Sequence, residues 1–135
     1  MFGKNRSKPQ SRIDCLISVG TSVEGNIVFT GGLRVDGQVR GNIIAEQGKP
    51  GTLFISEQAK VEGEIRVPHI VLKGTVLGPV SSFEYVELGE NASVTGDVHY
   101  NTLEMHQGAV LQGRLVHVTD EETTAPALPS KPGLS

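Results

Sequence analysis

The side chains able to do chemistry are few and scattered. Four histidines (His69, His99, His106 and His117), one cysteine (Cys15) and paired carboxylates such as Glu62 and Glu64 make up most of the inventory. Histidine and cysteine could hold zinc if three or four of them met at one point. Two neighbouring carboxylates could share acid–base work if burial raised the pKa of one. The stretch VDGQVRGNI at 35–43 has glycines four apart, but a phosphate loop needs a strand before it and a helix after it. Whether any of these groups can act depends on the elements that carry them.

Those elements are written as a repeat, a pattern that decides the fold before any local reading does. The phrase apolar–any–Gly–any–apolar occurs six times: VEGNI at 23–27, VRGNI at 39–43, VEGEI at 61–65, VLGPV at 76–80, VTGDV at 94–98 and LQGRL at 111–115. A second phrase, apolar–any–apolar, precedes each of them: Ile17/Val19, Leu33/Val35, Leu53/Ile55, Ile70/Leu72, Val86/Leu88 and Leu103/Met105. The steps between first members are 16, 20, 17, 16 and 17 residues. The gap to the following Val or Leu is six or eight. An even difference keeps the same residues inward, because a strand alternates faces with period two. Helices are excluded: apolar residues do not recur at three and four, and Gly or Pro interrupts nearly every window. The pattern predicts an all-β chain making three short strands per circuit and stacking on itself at ~4.8 Å, a single-domain β-solenoid of about six rungs.

In VEGEI, Val61 and Ile65 then face the core while Glu62 and Glu64 face out. Gly63 falls on the inward side, where a side chain would crowd the narrow interior. Gly25, Gly41, Gly63, Gly78, Gly96 and Gly113 are expected to stack in one column. Outward residues one rung apart are Glu24, Arg40 and Glu62, which alternate in sign, and Asp97 beside Arg114; opposite charges across strands are mildly stabilising. Glu87 beside Glu104 goes the other way. Pro79, which lacks a ladder donor, marks a corner.

The chemistry can now be placed. The rung step aligns His99 with Val116 and His117 with Tyr100, and leaves His69 and His106 in other columns. No metal site is expected from them, and Cys15 near the first rung does not complete one. Glu62 and Glu64 are solvated, and the glycines of 35–43 belong to the repeat. The expectation is a chain with no catalytic residue, no metal and no cofactor.

Composition agrees. The 135 residues include 17 Gly, four Phe, two Tyr and no Trp, and carry a net charge of −3. A single cysteine excludes an internal disulfide framework and fits a reducing compartment. No apolar run or signal-peptide core suits a membrane span or export, so the cytoplasm is the expected location. Charge is uneven: residues 1–12 carry Lys4, Arg6, Lys8 and Arg12 with no acid, residues 13–119 sum to −5, and 120–135 sum to −2. An acidic body argues against a nucleic-acid partner. The arm 1–12 and the Pro-rich tail 120–135 are expected to be disordered, flanking a domain at 13–119.

The ends then become the sites of interest. A solenoid's terminal rungs expose unpaired backbone and core unless a cap covers them. Around Leu16, Ile17 and Val19 at one end, and Val110, Leu111, Leu115, Val116 and Val118 at the other, no cap is written, although a tail folded over an end would serve as one. Uncapped, matching ends stack into filaments. The basic arm suits an anionic membrane leaflet, with Met1 and Phe2 adding apolar contact; one arm is a weak anchor, but many on a polymer bind by avidity.

With these features in place, the chain resembles the bactofilins, small bacterial cytoskeletal proteins, over about residues 13–118. The likeness rests on GGLRVDGQVRGNI, VEGEI and VTGDVHYNTLEMHQGAVLQGRL. It implies a right-handed β-helix of triangular cross-section, nucleotide-independent and non-polar polymerisation through the terminal rungs, and scaffolding of cell-envelope or cell-shape enzymes, including peptidoglycan-modifying ones. The start MFGKNRSK is similar to the membrane-targeting start of some members, which implies Met1, Phe2, Lys4, Arg6 and Lys8 as contacts on the inner face of the cell membrane. Two other readings are weighed. A hexapeptide-repeat acyltransferase on a left-handed β-helix would show an apolar residue every six positions, whereas the spacings here mix two, four, six and eight. A monomeric solenoid adaptor would require capped ends.

Overall fold

The computed structural model describes residues 13–118. It contains eighteen short strands and no helix among the described residues. The first rung is β1 (Cys15–Ile17), β2 (Ser22–Glu24) and β3 (Ile27–Phe29). The second is β4 (Gly31–Val35), β5 (Gln38–Arg40) and β6 (Ile43–Ala45), and the third β7 (Gly51–Ile55), β8 (Lys60–Glu62) and β9 (Ile65–Arg66). Then come β10 (His69–Leu72), β11 (Thr75–Leu77) and β12 (Val80–Ser81), followed by β13 (Tyr85–Leu88), β14 (Ser93–Thr95) and β15 (Val98–Tyr100). The sixth and last rung is β16 (Thr102–Met105), β17 (Val110–Gln112) and β18 (Leu115–His117). Every pairing is parallel and joins neighbouring rungs, giving three six-stranded sheets around one core, the six-rung solenoid read from the repeat with the three-sided section that the family resemblance implies.

Side-chain alternation fills the core with aliphatic columns. In the first sheet Leu33, Leu53, Ile70 and Val86 stack, as do Val35, Ile55, Leu72 and Leu88 two residues on. In the second, Val39, Val61, Val76 and Val94 stack, and in the third Ile43, Ile65, Val80 and Val98. All sixteen are at most 2% exposed. The six-or-eight spacing has a plain origin: the first corner holds two residues in the second and fourth rungs and four in the others. Both lengths are even, so the register of faces survives.

One expectation is corrected. The first rung's inward pair is Cys15 and Ile17, aligned with Leu33 and Val35, rather than Ile17 and Val19. Val19 lies in a turn and is 64% exposed. A slip of two residues preserves alternation, so periodicity alone cannot tell the two registers apart. Asp14 decides it: its amide donates to the Gly32 carbonyl at 2.8 Å, and its carboxylate Oδ2 accepts from the Gly32 amide at 2.9 Å.

The glycine column is present, for a reason different from the expected one. Gly63 has φ of +152°, a left-handed conformation that side chains resist. A Cβ there would run into the carbonyl oxygen of Gly41, and Gly41, Gly78, Gly96 and Gly113 each face the preceding column member in the same way. The crowding is therefore along the stacking axis, backbone against backbone, rather than inside the core. Beside this column Asn26 Oδ1 accepts from the Asn42 amide at 3.1 Å, Asn42 Oδ1 from the Glu64 amide at 2.9 Å and Asp97 Oδ1 from the Arg114 amide at 3.1 Å. Pro79 sits between β11 and β12, at a corner, where it has no amide to place in this ladder.

Candidate polymer interface

The same columns that are sealed in the middle open at both ends. Ile27 precedes Ile43 and is half-buried, whereas Leu115 follows Val98 and is 42% exposed. Met105 ends the Val35–Leu88 column and is also 42% exposed. Val23 and Leu111 close the second sheet's column half-buried, and Cys15 and Leu103 close the first sheet's other column. Nine large hydrophobic residues are exposed among the described residues; all but Leu77 and Phe83 belong to the first or last rung or to Ile13 just before it. Of these, Met105 and Leu115 end inward columns, whereas Leu16, Val28 and Val110 face outward on the terminal rungs.

The backbone tells the same story. In each sheet the two edge strands belong to the terminal rungs: β1, β2 and β3 at one end and β16, β17 and β18 at the other. Each end therefore offers three strand edges with unpaired groups, a template for further pairing. The described residues contain no helix that could lie across them.

The structure sorts the residues that the sequence singles out. Ile17, Leu111 and Leu115 lie in inward columns. Leu16, Val110 and Val116 sit on the same rungs but align with Arg34, Ser93 and His99, so they face outward. Val118 continues the last rung, its amide donating to the Tyr100 carbonyl at 2.7 Å and its carbonyl accepting from Asn101 Nδ2 at 3.1 Å. Val19 is at a turn. Met1, Phe2, Lys4, Arg6 and Lys8 lie outside the described residues. Cys15, Val23, Ile27, Leu103 and Met105 complete the inward ends and were absent from the interface read from sequence. Their signal in the sequence is column membership, one rung step from buried core residues.

Outward chemistry is modest. Arg40 lies 3.6 Å from Glu24 and 3.8 Å from Glu62, and Arg114 3.4 Å from Asp97. These pairs are exposed and worth little. Asp97 has its pKa held below the usual carboxylate range, mainly by the Arg114 amide it accepts from, with the Arg114 guanidinium adding to it. His99 aligns with Val116 and Tyr100 with His117, as the rung step predicts. His69 approaches Glu84 at 3.2 Å. His106 does not stand alone: it meets Glu87 and Glu104.

Among the described residues, six stacked rungs of three short strands define a structural repeat protein, a parallel β-solenoid. The comparisons give the family. Residues 15–116 match the bactofilin family, described as polymer-forming cytoskeletal, and the chain belongs to it. It is 28% identical over 97 residues to Bactofilin BacP of Myxococcus xanthus (strain DK1622), a match covering 70% of this chain and 40% of BacP's length. The solid-state NMR structure of the cytoskeletal bactofilin BacA superposes with a TM-score of 0.67 at 31% identity, covering 76% of this chain and 94% of that one. A cytoskeletal role through self-association follows from membership of this family.

Proposed function

We propose that the chain assembles end to end, without nucleotide, into non-polar filaments that lie on the cytoplasmic face of the membrane and position cell-envelope machinery. The observation that carries the reading is the concentration of exposed hydrophobics and free strand edges on the two terminal rungs. Stacking a second copy on either end continues three parallel or antiparallel ladders and covers the open columns. Burying one half-exposed aliphatic side chain contributes about 1 kcal/mol, and several act at each joint. The basic arm, through Met1, Phe2, Lys4, Arg6 and Lys8, is the proposed membrane contact, and peptidoglycan-modifying enzymes are the proposed clients; both rest on the family likeness.

Negative-stain electron microscopy of the full chain without nucleotide tests the core of this reading. Long thin filaments are expected, and discrete uniform particles would refute end-to-end growth. Co-sedimentation with anionic liposomes tests the arm: the full chain should bind, and a chain lacking residues 1–8 should not.

A further inference from the structure

We propose that Glu87, Glu104 and His106 form a binding site for a divalent transition-metal ion, zinc above others, on the outer face of the first sheet beside the last rung. The parallel register sets Glu87 directly against Glu104. Like charges so placed repel, yet the two side chains converge. The Tyr85 hydroxyl is the reason: it lies 2.7 Å from Glu104 Oε1 and 3.3 Å from Glu87 Oε1. Its one proton is shared between the two Oε1 atoms, with the nearer Glu104 taking the stronger bond.

With the Oε1 atoms held by tyrosine, the Oε2 atoms are left for a common partner. His106 Nε2 stands 2.8 Å from Glu87 Oε2 and 3.6 Å from Glu104 Oε2. The three ligand atoms all lie within 4.8 Å of one another. A tetrahedral zinc with bonds of ~2.1 Å spaces its ligand atoms ~3.4 Å apart, between the two observed distances. One imidazole and two carboxylates suit zinc or its first-row neighbours, whereas calcium and magnesium take oxygen alone. Tyr85 supplies the outer hydrogen bond that orients ligating carboxylates in metal sites. Three protein ligands leave one coordination position open, and the exposure of Glu104 and His106 gives an ion entry. Glu87 belongs to the fifth rung and the other two to the sixth or its turn, so the ion would tie the terminal rung to its neighbour.

The test is isothermal titration of the full chain with zinc, supported by the visible spectrum of the cobalt-loaded protein, which reports tetrahedral N/O ligation. One ion per chain is expected. His106→Ala and the near-isosteric Glu104→Gln should each abolish it, Tyr85→Phe should weaken it by about tenfold or more, and His69→Ala and Cys15→Ser should leave it unchanged. Absence of saturable binding at millimolar zinc, or binding that survives both His106→Ala and Glu104→Gln, would overturn the proposal. End-to-end assembly does not enter the measurement, so the site stands or falls apart from the filament.

Discussion

Leu115→Arg is the perturbation that asks most of the end-to-end reading. Leu115 faces inward at the end of the third sheet's column and is 42% exposed in the single chain. There a guanidinium can swing into water, so circular dichroism should show an intact solenoid. At a joint it would be trapped against the next copy's apolar column. The lost burial of the exposed part of leucine costs about 0.6–1.3 kcal/mol, and an unpaired buried charge costs about 3–5 kcal/mol. At ~1.4 kcal/mol per tenfold, the joint should weaken by roughly three to four orders of magnitude. A pelleting assay of critical concentration reads this directly, with Gln58→Arg, exposed at the first corner of the third rung, as the control that still assembles. The products also carry information. In a non-polar filament the variant keeps its first-rung joint and stops at dimers, as Ile17→Arg does through the opposite end; in a polar filament both stop at monomers. Wild-type pelleting by Leu115→Arg would refute the assignment of this end.

Other perturbations address the stack itself. Gly63→Ala should lower the melting temperature more than Gly25→Ala, because both incur about 1–3 kcal/mol of left-handed strain but only the former meets the backbone of a preceding rung; equal shifts would argue against axial crowding. Gly25, whose added methyl would project from the open end, should instead lose assembly, read by the same pelleting assay. Asn42→Ala leaves the Glu64 amide without its acceptor and should cost ~1–3 kcal/mol in urea unfolding. The Asp97 carboxylate has a folded pKa below its unfolded one, so its stabilisation is present above the ordinary carboxylate range and lost as pH falls through the lower folded value. The protection factor of the Arg114 amide, its exchange measured against the intrinsic rate at each pH, should therefore fall on acidification below that range, and Asp97→Asn should flatten the response.

Much of this was legible because a strand repeat states its facing residues twice, by alternation and by stacking. Val61, Val76 and Val94 could be assigned inward from spacing alone, and the coil of sheets follows once they must meet. The first rung slipped by two because Val19 imitates an inward position better than Cys15 does; only the hydrogen bonds of Asp14, a tertiary fact, separate the registers. Glu87 against Glu104 read as a small repulsion because pairwise charge rules omit the third and fourth groups, Tyr85 and His106, which come from neighbouring columns. Chain position near the ends groups inward Ile17 and Leu115 with outward Leu16 and Val116. The alternation that orients the core residues also separates these two sets.

The physics of the core bears on assembly more closely than a list of contacts suggests. A rung cannot fully bury its own side chains, because Ile43 or Leu72 also needs the members of its column above and below. Interior rungs satisfy this twice and reach complete burial; terminal rungs satisfy it once and remain open. Adding a copy gives each end rung the neighbour that every interior rung already has, with a matching triangular outline and matching free edges. On the proposed end-to-end reading, polymerisation would be the continuation of folding by other chains, with apolar burial and strand pairing supplying the free energy. The same reasoning limits where regulation can act. Charge on an outer face, such as Arg40 or Lys60, should change bundling or partner choice, whereas only changes at the open columns should alter growth. A phosphomimetic series placed rung by rung, scored separately for pelleting and for filament width, would separate those two effects; growth lost from outer-face positions in the central rungs would contradict the claim that the ends alone govern it.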